Sequence, residues 1–572
     1  MGSWKNLVPA VSQIRTYERS WLGKDIAAAG LVITGLLAPA GMAYAAAAGL
    51  PPVTGLYATI IPLFVYALFG PSRIMVLGPD SSLTPLLVAT ILPLAAANSS
   101  EAVAIAGAIS ILAGLFCLAA GLARFGFLAD LLSAPVRYGY LHGIAITIIV
   151  AQAAKLCGFS VKGESLFSQF RQFVGGLDDG LLNGWALAVG LGSVVVIVLL
   201  RWRSSAIPAT LVVVIIGIVV ALLADLGTRH QVPLVGDLPQ GLPSPAIPDV
   251  DWTTVRSLLG ASLGIAFVSF ADTGVLSRTM AVRRHEKVDA NHELVALGMA
   301  NVASGLFHGF PISASNSRTP VAEAAGSRTQ LTGVVAAVAL LVITVAAPTA
   351  FRHLPDASLA AIVIAAAISL IDIPAMVRLF RVRRSEFVLA LAAWLAVAVF
   401  GPVNGVVMAV ALSILNFLRL AWKPHTTELV RVDGLKGYHD HSRHPEGHVV
   451  PGLLLYRFDA PLFFANAHFF AEDIQRRIEA QATPVRCVIV TSEPINDIDT
   501  TAADMLAELA TELQAREIEL RFAELKGAVR DRLDRYGVFP GGPAVRSERT
   551  TGLAVKAYIQ DYGVDWVDWE DR

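Results

Sequence analysis

The sequence predicts an α-helical polytopic membrane protein that ends in a small cytoplasmic α/β domain. Three observations carry this reading. Hydrophobic residues make up 55% of the chain and charged residues only 16%, with a mean hydropathy of +0.61. Between Ala27 and Leu420, apolar runs of about 20 residues recur, each long enough to cross a hydrocarbon core as a helix. From Thr426 onward the composition becomes that of a soluble domain. The expected layout is a cytoplasmic N-terminal segment (1–25), a membrane domain (26–422), a polar linker (423–450) and a soluble domain (451–572).

The N-terminal segment has no apolar core before Ile26 and no small-residue cleavage site, so the first hydrophobic helix is expected to stay in the protein. Apolar runs follow near 26–46, 52–69, 103–121, 137–157, 181–200, 206–225, 257–276, 291–307, 331–349, 358–371, 386–400 and 403–422. Two further segments, near 78–95 and 312–325, are short and interrupted by Gly, Pro and Ser, which brings the predicted total to fourteen. One set of loops carries Arg73, Arg124, Arg201, Arg203, Arg283, Arg284, Lys287, Arg328, Arg378, Arg381, Arg383 and Arg384. The alternate set carries Asp225, Asp237, Asp249, Asp251 and Asp356. The basic set is expected on the cytoplasmic side. An even number of crossings then places both termini in the cytoplasm and the chain in the inner membrane.

The interrupted segments point to the site. One reads Leu77-Gly78-Pro79-Asp80-Ser81-Ser82; the other reads Phe310-Pro311-Ile312-Ser313-Ala314-Ser315-Asn316-Ser317-Arg318-Thr319. Pro and Gly break the preceding backbone, while Ser, Asp and Asn can cap a new turn, so each predicts an extended stretch leading into a half-helix. Irregular backbone at membrane depth is tolerated only where it faces protein or a cavity. Asp80 to Ser315 is 235 residues, and Ala40 to Asp272, in two other unusual helices, is 232. That near-equal offset suggests an internal duplication. With seven helices per half, an odd number, the halves must be inverted, the pattern that places a substrate site near the midplane.

Half-helix N-termini present free N–H groups and suit an anion. Arg318 adds a full charge and a planar fork of donors that fits oxyanions. The candidate substrate residues are Tyr44, Asp80, Ser81, Ser315, Asn316, Ser317 and Arg318. Ser313, Ser315 and Ser317, and Asp80, read equally as helix caps. Asp272 lies at membrane depth, where ionisable residues are expensive and usually functional. It is the ion-coupling candidate for a proton, or for sodium with Thr273 as a further oxygen ligand. Glu323 is read as structural.

The soluble tail alternates short strands (Leu453–Phe458, Arg486–Thr491, Glu517–Phe522) with helices from about Ala465 and from Thr500 to Gln514, an α/β pattern. Asp499 and Thr500 fit the start of the second helix. The run His439-Asp440-His441-Ser442-Arg443-His444-Pro445-Glu446-Gly447-His448 resembles a metal-binding tract but is read as part of the polar linker, so no metal site is expected. Cys117, Cys157 and Cys487 have no metal or disulfide spacing and are read as packing residues. A net charge of -1 with no basic stripe gives no nucleic-acid partner. The chain has no catalytic constellation and no phosphate-binding Gly-Lys loop, so neither an enzyme nor ATP drive is expected, and no cofactor beyond a coupling ion.

The chain resembles the sulfate permease (SulP) family of anion transporters over nearly its whole length. The motifs are Pro51-Pro52-Val53-Thr54-Gly55-Leu56-Tyr57, Phe69-Gly70-Pro71-Ser72-Arg73, Gly78-Pro79 and Ser315-Asn316-Ser317-Arg318-Thr319, followed by Ala325-Gly326 and Thr329. The resemblance implies fourteen helices in a 7+7 inverted repeat split into core and gate subdomains. It also implies an anion site between the third and tenth helices, a cytoplasmic STAS domain and homodimers. Phe463-Phe464-Ala465-Asn466-Ala467 and Asp497-Ile498-Asp499-Thr500-Thr501 look like the STAS pattern, and in related regulatory domains the hydroxyl at the place of Thr500 can be phosphorylated. Two positions depart from the family: Ala40 stands where an amide is common, and Asp80 where an apolar or small residue is usual. The expected function is secondary active transport of a sulfate-like anion, coupled to protons or sodium, by an elevator-like alternation. The alternatives are bicarbonate or dicarboxylate as substrate, a passive exchanger or channel, and a membrane sensor with the STAS domain as output.

Overall fold

A computed structural model describes residues 9–32, 37–127, 133–161, 165–203, 209–315, 318–538 and 545–569. The chain divides into two compact units, Met1–Ile414 and Leu415–Arg572.

The first unit is almost wholly helical. In order it holds α1 (Pro9–Arg15), α2 (Leu22–Val32), α3 (Ala38–Ala47), α4 (Pro52–Phe69), strand β1 (Leu77–Gly78), α5 (Thr84–Ile91), α6 (Ser100–Leu122), α7 (Ala134–Leu156), α8 (Leu166–Asp178), α9 (Gly184–Arg203) and α10 (Ala209–Leu223). These are followed by α11 (Trp252–Arg284), α12 (Ala290–Leu306), strand β2 (Ser313–Ala314), α13 (Arg318–Ala324), α14 (Leu331–Ala346), α15 (Asp356–Ile368), α16 (Ile373–Val382) and α17 (Arg384–Trp422), whose residues from Leu415 on belong to the second unit. Among the described residues six helical stretches are long and apolar enough to cross a membrane: α4, α6, α7, α11, the run Asp356–Val382 and α17. Shorter apolar stretches lie in α9, α10 and α14.

The first apolar run carries α2 and α3, with residues 33–36 between them outside the described residues. The last two runs are two helices, as expected: the stretch α17 breaks between them at Gly401, with φ 82° and ψ 170°, a backbone conformation open to glycine. Hydropathy did not anticipate α8 or α16, because neither is apolar all round. No residue of α16 is buried, and it exposes Ile373, Val377 and Phe380 at helical spacing, as a helix lying in a membrane interface does.

Small residues set the closest packing. Gly107, Gly114 and Gly121 on α6 face Gly305, Gly298 and Asn291 on α12; a methyl group on Gly298 would stand 2.7 Å from the Gly114 carbonyl oxygen. Ser110 Oγ also donates to the Asn301 carbonyl at 2.8 Å. The two helices therefore meet backbone to backbone. Similarly, α3 meets α4 at Gly41 and Gly55, where a Cβ on Gly41 would lie 2.8 Å from the Gly55 carbonyl.

The second unit carries β3 (Thr426–Arg431), β4 (Tyr438–Asp440), β5 (Leu453–Phe458), α18 (Ala467–Ala480), β6 (Cys487–Thr491), α19 (Thr500–Ala515), β7 (Glu519–Ala523), α20 (Gly527–Arg535), β8 (Val545–Glu548) and α21 (Thr551–Tyr562). The strands form one sheet in the order β4-β3-β5-β6-β7-β8. Strands β5 to β8 are parallel, while β3 is antiparallel to both neighbours. Side chains alternate between faces. Leu454, Tyr456, Phe458, Val488 and Phe522 pack with α18, α19 and α20, whereas Leu453, Leu455, Cys487 and Ile489 pack with α21. Burial pushes the Cys487 thiol up to about 12, so it is an inert packing group.

The predicted polar linker 423–450 is corrected here: it contributes strands β3 and β4 to the sheet. Its polar composition hid an edge hairpin. Asp440 Oδ1 accepts from Thr427 Oγ1 at 2.7 Å and from Ser442 N and Oγ at 2.8 and 2.7 Å. Burial acts to raise its pKa, but these bonds outweigh it and hold the carboxyl at about 2. The histidines of the tract face separate partners: Glu428 for His441, Glu446 for His444 and Asp433 for His448. No group of three metal-ligating side chains forms among the described residues.

Candidate functional site

The two interrupted segments meet. Strands β1 and β2 pair antiparallel, Leu77 with Ala314 and Gly78 with Ser313. The ladder extends by a bond from Ser315 N to Val76 O at 3.2 Å. Pro79 and Pro311 flank the ladder and prevent either segment from continuing as a helix.

Buried backbone outside a helix must find partners, and side chains from neighbouring helices supply them. Asn301 on α12 clamps Ile312 from both sides, its Oδ1 accepting from Ile312 N at 2.9 Å and its Nδ2 donating to Ile312 O at 3.2 Å. Ser269 Oγ donates to the same carbonyl at 2.7 Å, and Ser304 Oγ donates to Phe310 O at 2.8 Å. Thr273 Oγ1 accepts from Ala314 N at 3.1 Å. On the other segment, Gln330 Nε2 donates to the carbonyls of Ser72 and Met75 at 2.8 and 2.9 Å, and Thr319 Oγ1 accepts from Val76 N at 3.1 Å.

Arg318 opens α13 and is 2% exposed. Its backbone N donates to Ser315 Oγ at 3.4 Å. Its guanidinium crosses to the opposite segment, where Nη2 donates to the Pro79 carbonyl. It lies against Gly78: a Cβ there would stand 3.2 Å from Nη1. Nη1 itself is buried and has no hydrogen-bond partner among the described residues. The Asp80 carboxylate and the Tyr44 phenol are within electrostatic reach of the guanidinium.

Asp80 does not cap α5, which starts only at Thr84. Its Oδ1 accepts from Ser82 N at 3.2 Å and from Ser82 Oγ at 3.0 Å. Ser82 Oγ also lies 2.7 Å from Asp272 Oδ2. One hydroxyl thus bridges two carboxyl groups. Asp272 is buried on α11, Tyr44 on α3 and Ser81 in the turn before α5. Asn316 and Ser317 lie outside the described residues. Glu323 pairs with Arg283 at 3.4 Å, a partly exposed pair.

The sequence reading missed four residues. Tyr140 on α7 is buried, its hydroxyl has no partner among the described residues, and both Asp272 and Asp80 are in electrostatic reach. Asn301 was hidden as an ordinary polar residue in an apolar helix. Asp25 on α2 is fully buried; its carboxylate accepts from Arg328 N at 2.6 Å, Thr329 N at 3.2 Å and Thr329 Oγ1 at 2.7 Å. It thereby fastens α2 to the turn before α14. Glu293 on α12 is also fully buried.

In the second unit Asp499 is the N-cap of α19, accepting from Ala502 N at 2.9 Å and, through Oδ2, from Phe464 N at 2.9 Å. Thr500 follows it, exposed.

Residues 22–393 match the sulfate permease family and residues 444–549 match the STAS domain. The chain is 40% identical over 525 residues to a probable sulfate transporter of Mycobacterium tuberculosis, covering 92% of this chain and 93% of that one. It is similar in fold to the murine solute carrier 26 family member A9 anion transporter in an inward-facing state, with a TM-score of 0.87, 21% identity and coverage of 97% and 94%. The transmembrane domain of the cyanobacterial bicarbonate transporter BicA matches at a TM-score of 0.59 and 23% identity, over 70% of this chain and 97% of that one.

Proposed function

The chain belongs to the sulfate permease family and carries a STAS domain, and from this premise we propose that it moves a small inorganic oxyanion, sulfate foremost, by secondary active transport. One observation carries the reading. Arg318 is a fully buried cation with one nitrogen bonded to the Pro79 carbonyl and the other, Nη1, unsatisfied among the described residues. A buried donor without an acceptor is costly, and an oxyanion bound beside the β1–β2 ladder supplies that acceptor. Tyr44, Ser81 and Ser315, with Asn316 and Ser317, are its proposed surroundings. The 40% identity to a probable sulfate transporter favours sulfate over bicarbonate or a dicarboxylate.

The coupling ion is a proton in this reading. A serine hydroxyl holds one hydrogen, yet Ser82 Oγ stands within 3.0 Å of Asp80 and 2.7 Å of Asp272. One proton on the pair gives every contact a hydrogen; sodium, with Thr273 as a ligand, is the alternative. The same reading takes the antiparallel β1–β2 pair as the meeting point of inverted halves, which move as a core against a gate in an elevator-like alternation within a homodimer. It puts both termini and the STAS domain on the cytoplasmic side of the inner membrane, with Thr500 as a phosphorylation candidate.

The test is uptake of labelled sulfate, bicarbonate and succinate into proteoliposomes under an imposed pH or sodium gradient. Sulfate accumulation driven by the pH gradient is expected. Accumulation of bicarbonate or succinate without sulfate would overturn the substrate, and drive by sodium alone would overturn the proton.

A further inference from the structure

Glu293 stands apart from the anion site and sits in a cage of hydroxyl groups. Its Oε1 accepts from Tyr66 on α4 at 2.5 Å. Its Oε2 lies 3.1 Å from Ser72 Oγ, in the connection leading to β1, and 2.9 Å from Ser277 Oγ on α11. The two serine oxygens are 3.0 Å from each other. All four residues are buried: Glu293 is 0% exposed, Tyr66 1%, Ser277 2% and Ser72 4%.

Ser72 Oγ, Ser277 Oγ and Glu293 Oε2 form a triangle, each edge at hydrogen-bond length. Each edge needs one hydrogen, and each serine contributes one. An ionised Glu293 contributes none and leaves one edge as a bare oxygen–oxygen contact. A protonated Glu293 fills all three edges in a closed ring, while Tyr66 fills the fourth contact.

The surroundings provide no counter-charge. Helices α4 and α14 hold no charged residue, and α6 holds only Glu101, at its far end. On α11, Asp272 is a further acid and no counter-charge, Arg256, Arg278 and Arg283 are exposed, and Arg284 pairs with Glu286 at 3.4 Å. Arg73 also faces Glu286, at 3.8 Å. On α12 the only other titratable group is the half-buried His292, and the hydrogen-bond partners of Glu293 among the described residues are uncharged hydroxyls. A bare charge in such a place is far more costly than a neutral acid.

We propose that Glu293 is a resident proton site, a neutral carboxylic acid whose proton closes the ring that ties the lead-in of the first half-helix to α11. It is separate from the Asp80–Ser82–Asp272 pair, and its proton stays in place while that pair loads and unloads. Removing it at high pH opens the ring and loosens Ser72 from Ser277, upstream of β1. Glu293 is therefore a positioning residue that sets an alkaline limit on the anion site.

Infrared spectroscopy of the full-length protein in lipid, compared with Glu293→Gln, Asp272→Asn and Asp80→Asn, tests this. The carbonyl band of a protonated carboxylic acid is expected in the wild type, lost in Glu293→Gln and retained at the same frequency in Asp272→Asn and Asp80→Asn. Glutamine offers two N–H donors and fills the same triangle, so Glu293→Gln is expected to fold and to stay folded at alkaline pH where the wild type softens. A band of the Asp80–Asp272 pair is told apart by its response to Asp272→Asn or Asp80→Asn; the proposal is overturned if no protonated-acid band is lost in Glu293→Gln while persisting in both aspartate variants, or if Glu293→Gln fails to fold or melts at alkaline pH as the wild type does. These readouts need no transported anion, so they are independent of the substrate.

Discussion

Replacing Arg318 with alanine removes the buried positive charge of the proposed site. In the structure Nη2 holds the Pro79 carbonyl across the β1–β2 ladder, and Nη1 has no partner among the described residues. A hydrogen bond to a charged group contributes about 1.5–3 kcal/mol. At about 1.4 kcal/mol per factor of ten, Arg318→Ala is expected to weaken anion binding roughly tenfold to a hundredfold. Arg318→Lys restores the charge but not the fork, and one ammonium cannot serve the Pro79 carbonyl and the anion in the same geometry, so rescue is partial. The assay is equilibrium binding of labelled sulfate to purified protein, with a thermal melt of each variant to show that it is folded. A folded Arg318→Ala protein with wild-type affinity would refute the assignment of Nη1 to the anion.

Asp272→Asn keeps a partner for Ser82 but removes a titratable group from the bridge; gradient-driven accumulation should vanish while anion binding or exchange survives in part, and wild-type accumulation in proteoliposomes would shift the role to Asp80. Gly55→Ala drives a methyl group into the Gly41 carbonyl where α3 crosses α4 and should cost about 1–3 kcal/mol or more. Gly192→Ala, whose methyl meets nothing within 4 Å, is the control, and equal melting temperatures for the two would count against the packing argument. A chain ending near Pro424 should retain sulfate binding, because every proposed site residue lies in the first unit; loss of binding in a folded truncation contradicts this.

The two extended stretches were legible because Gly, Pro and Ser break helices by local chemistry. Gly78-Pro79 and Pro311 through Ser315 mark their own extended stretches, and an arginine inside an otherwise apolar segment is conspicuous. The contacts that hold these stretches were not legible. Glu293 lies in the first turn of α12, where a glutamate is usually a surface complement to the helix dipole. Its partners Tyr66 and Ser72 are 227 and 221 residues away, and no local pattern joins them. Asp25 likewise resembles an N-terminal helix acid, although its partners lie about 300 residues on. The edge hairpin at 426–440 was misread because an edge strand is half solvated, so its polar residues mimic a loop.

The β1–β2 ladder also has a consequence for the order in which the protein is made. Val76 and its partner Thr319 are separated by 243 residues, which a ribosome adding about 5–20 residues per second takes on the order of 10–50 s to cross. Throughout that interval the extended backbone at Val76–Gly78 has no second strand, and the glycine face of α6 has no α12 to meet. Lipid cannot solvate open amides, so the first half cannot settle into the bilayer as a finished piece. It must wait, sheltered by the insertion machinery or held near the interface, until β2 and α12 emerge. Synthesis of the N-terminal half alone should therefore yield a substrate for quality-control proteolysis, with final assembly a single late step in which the two halves close around the ladder.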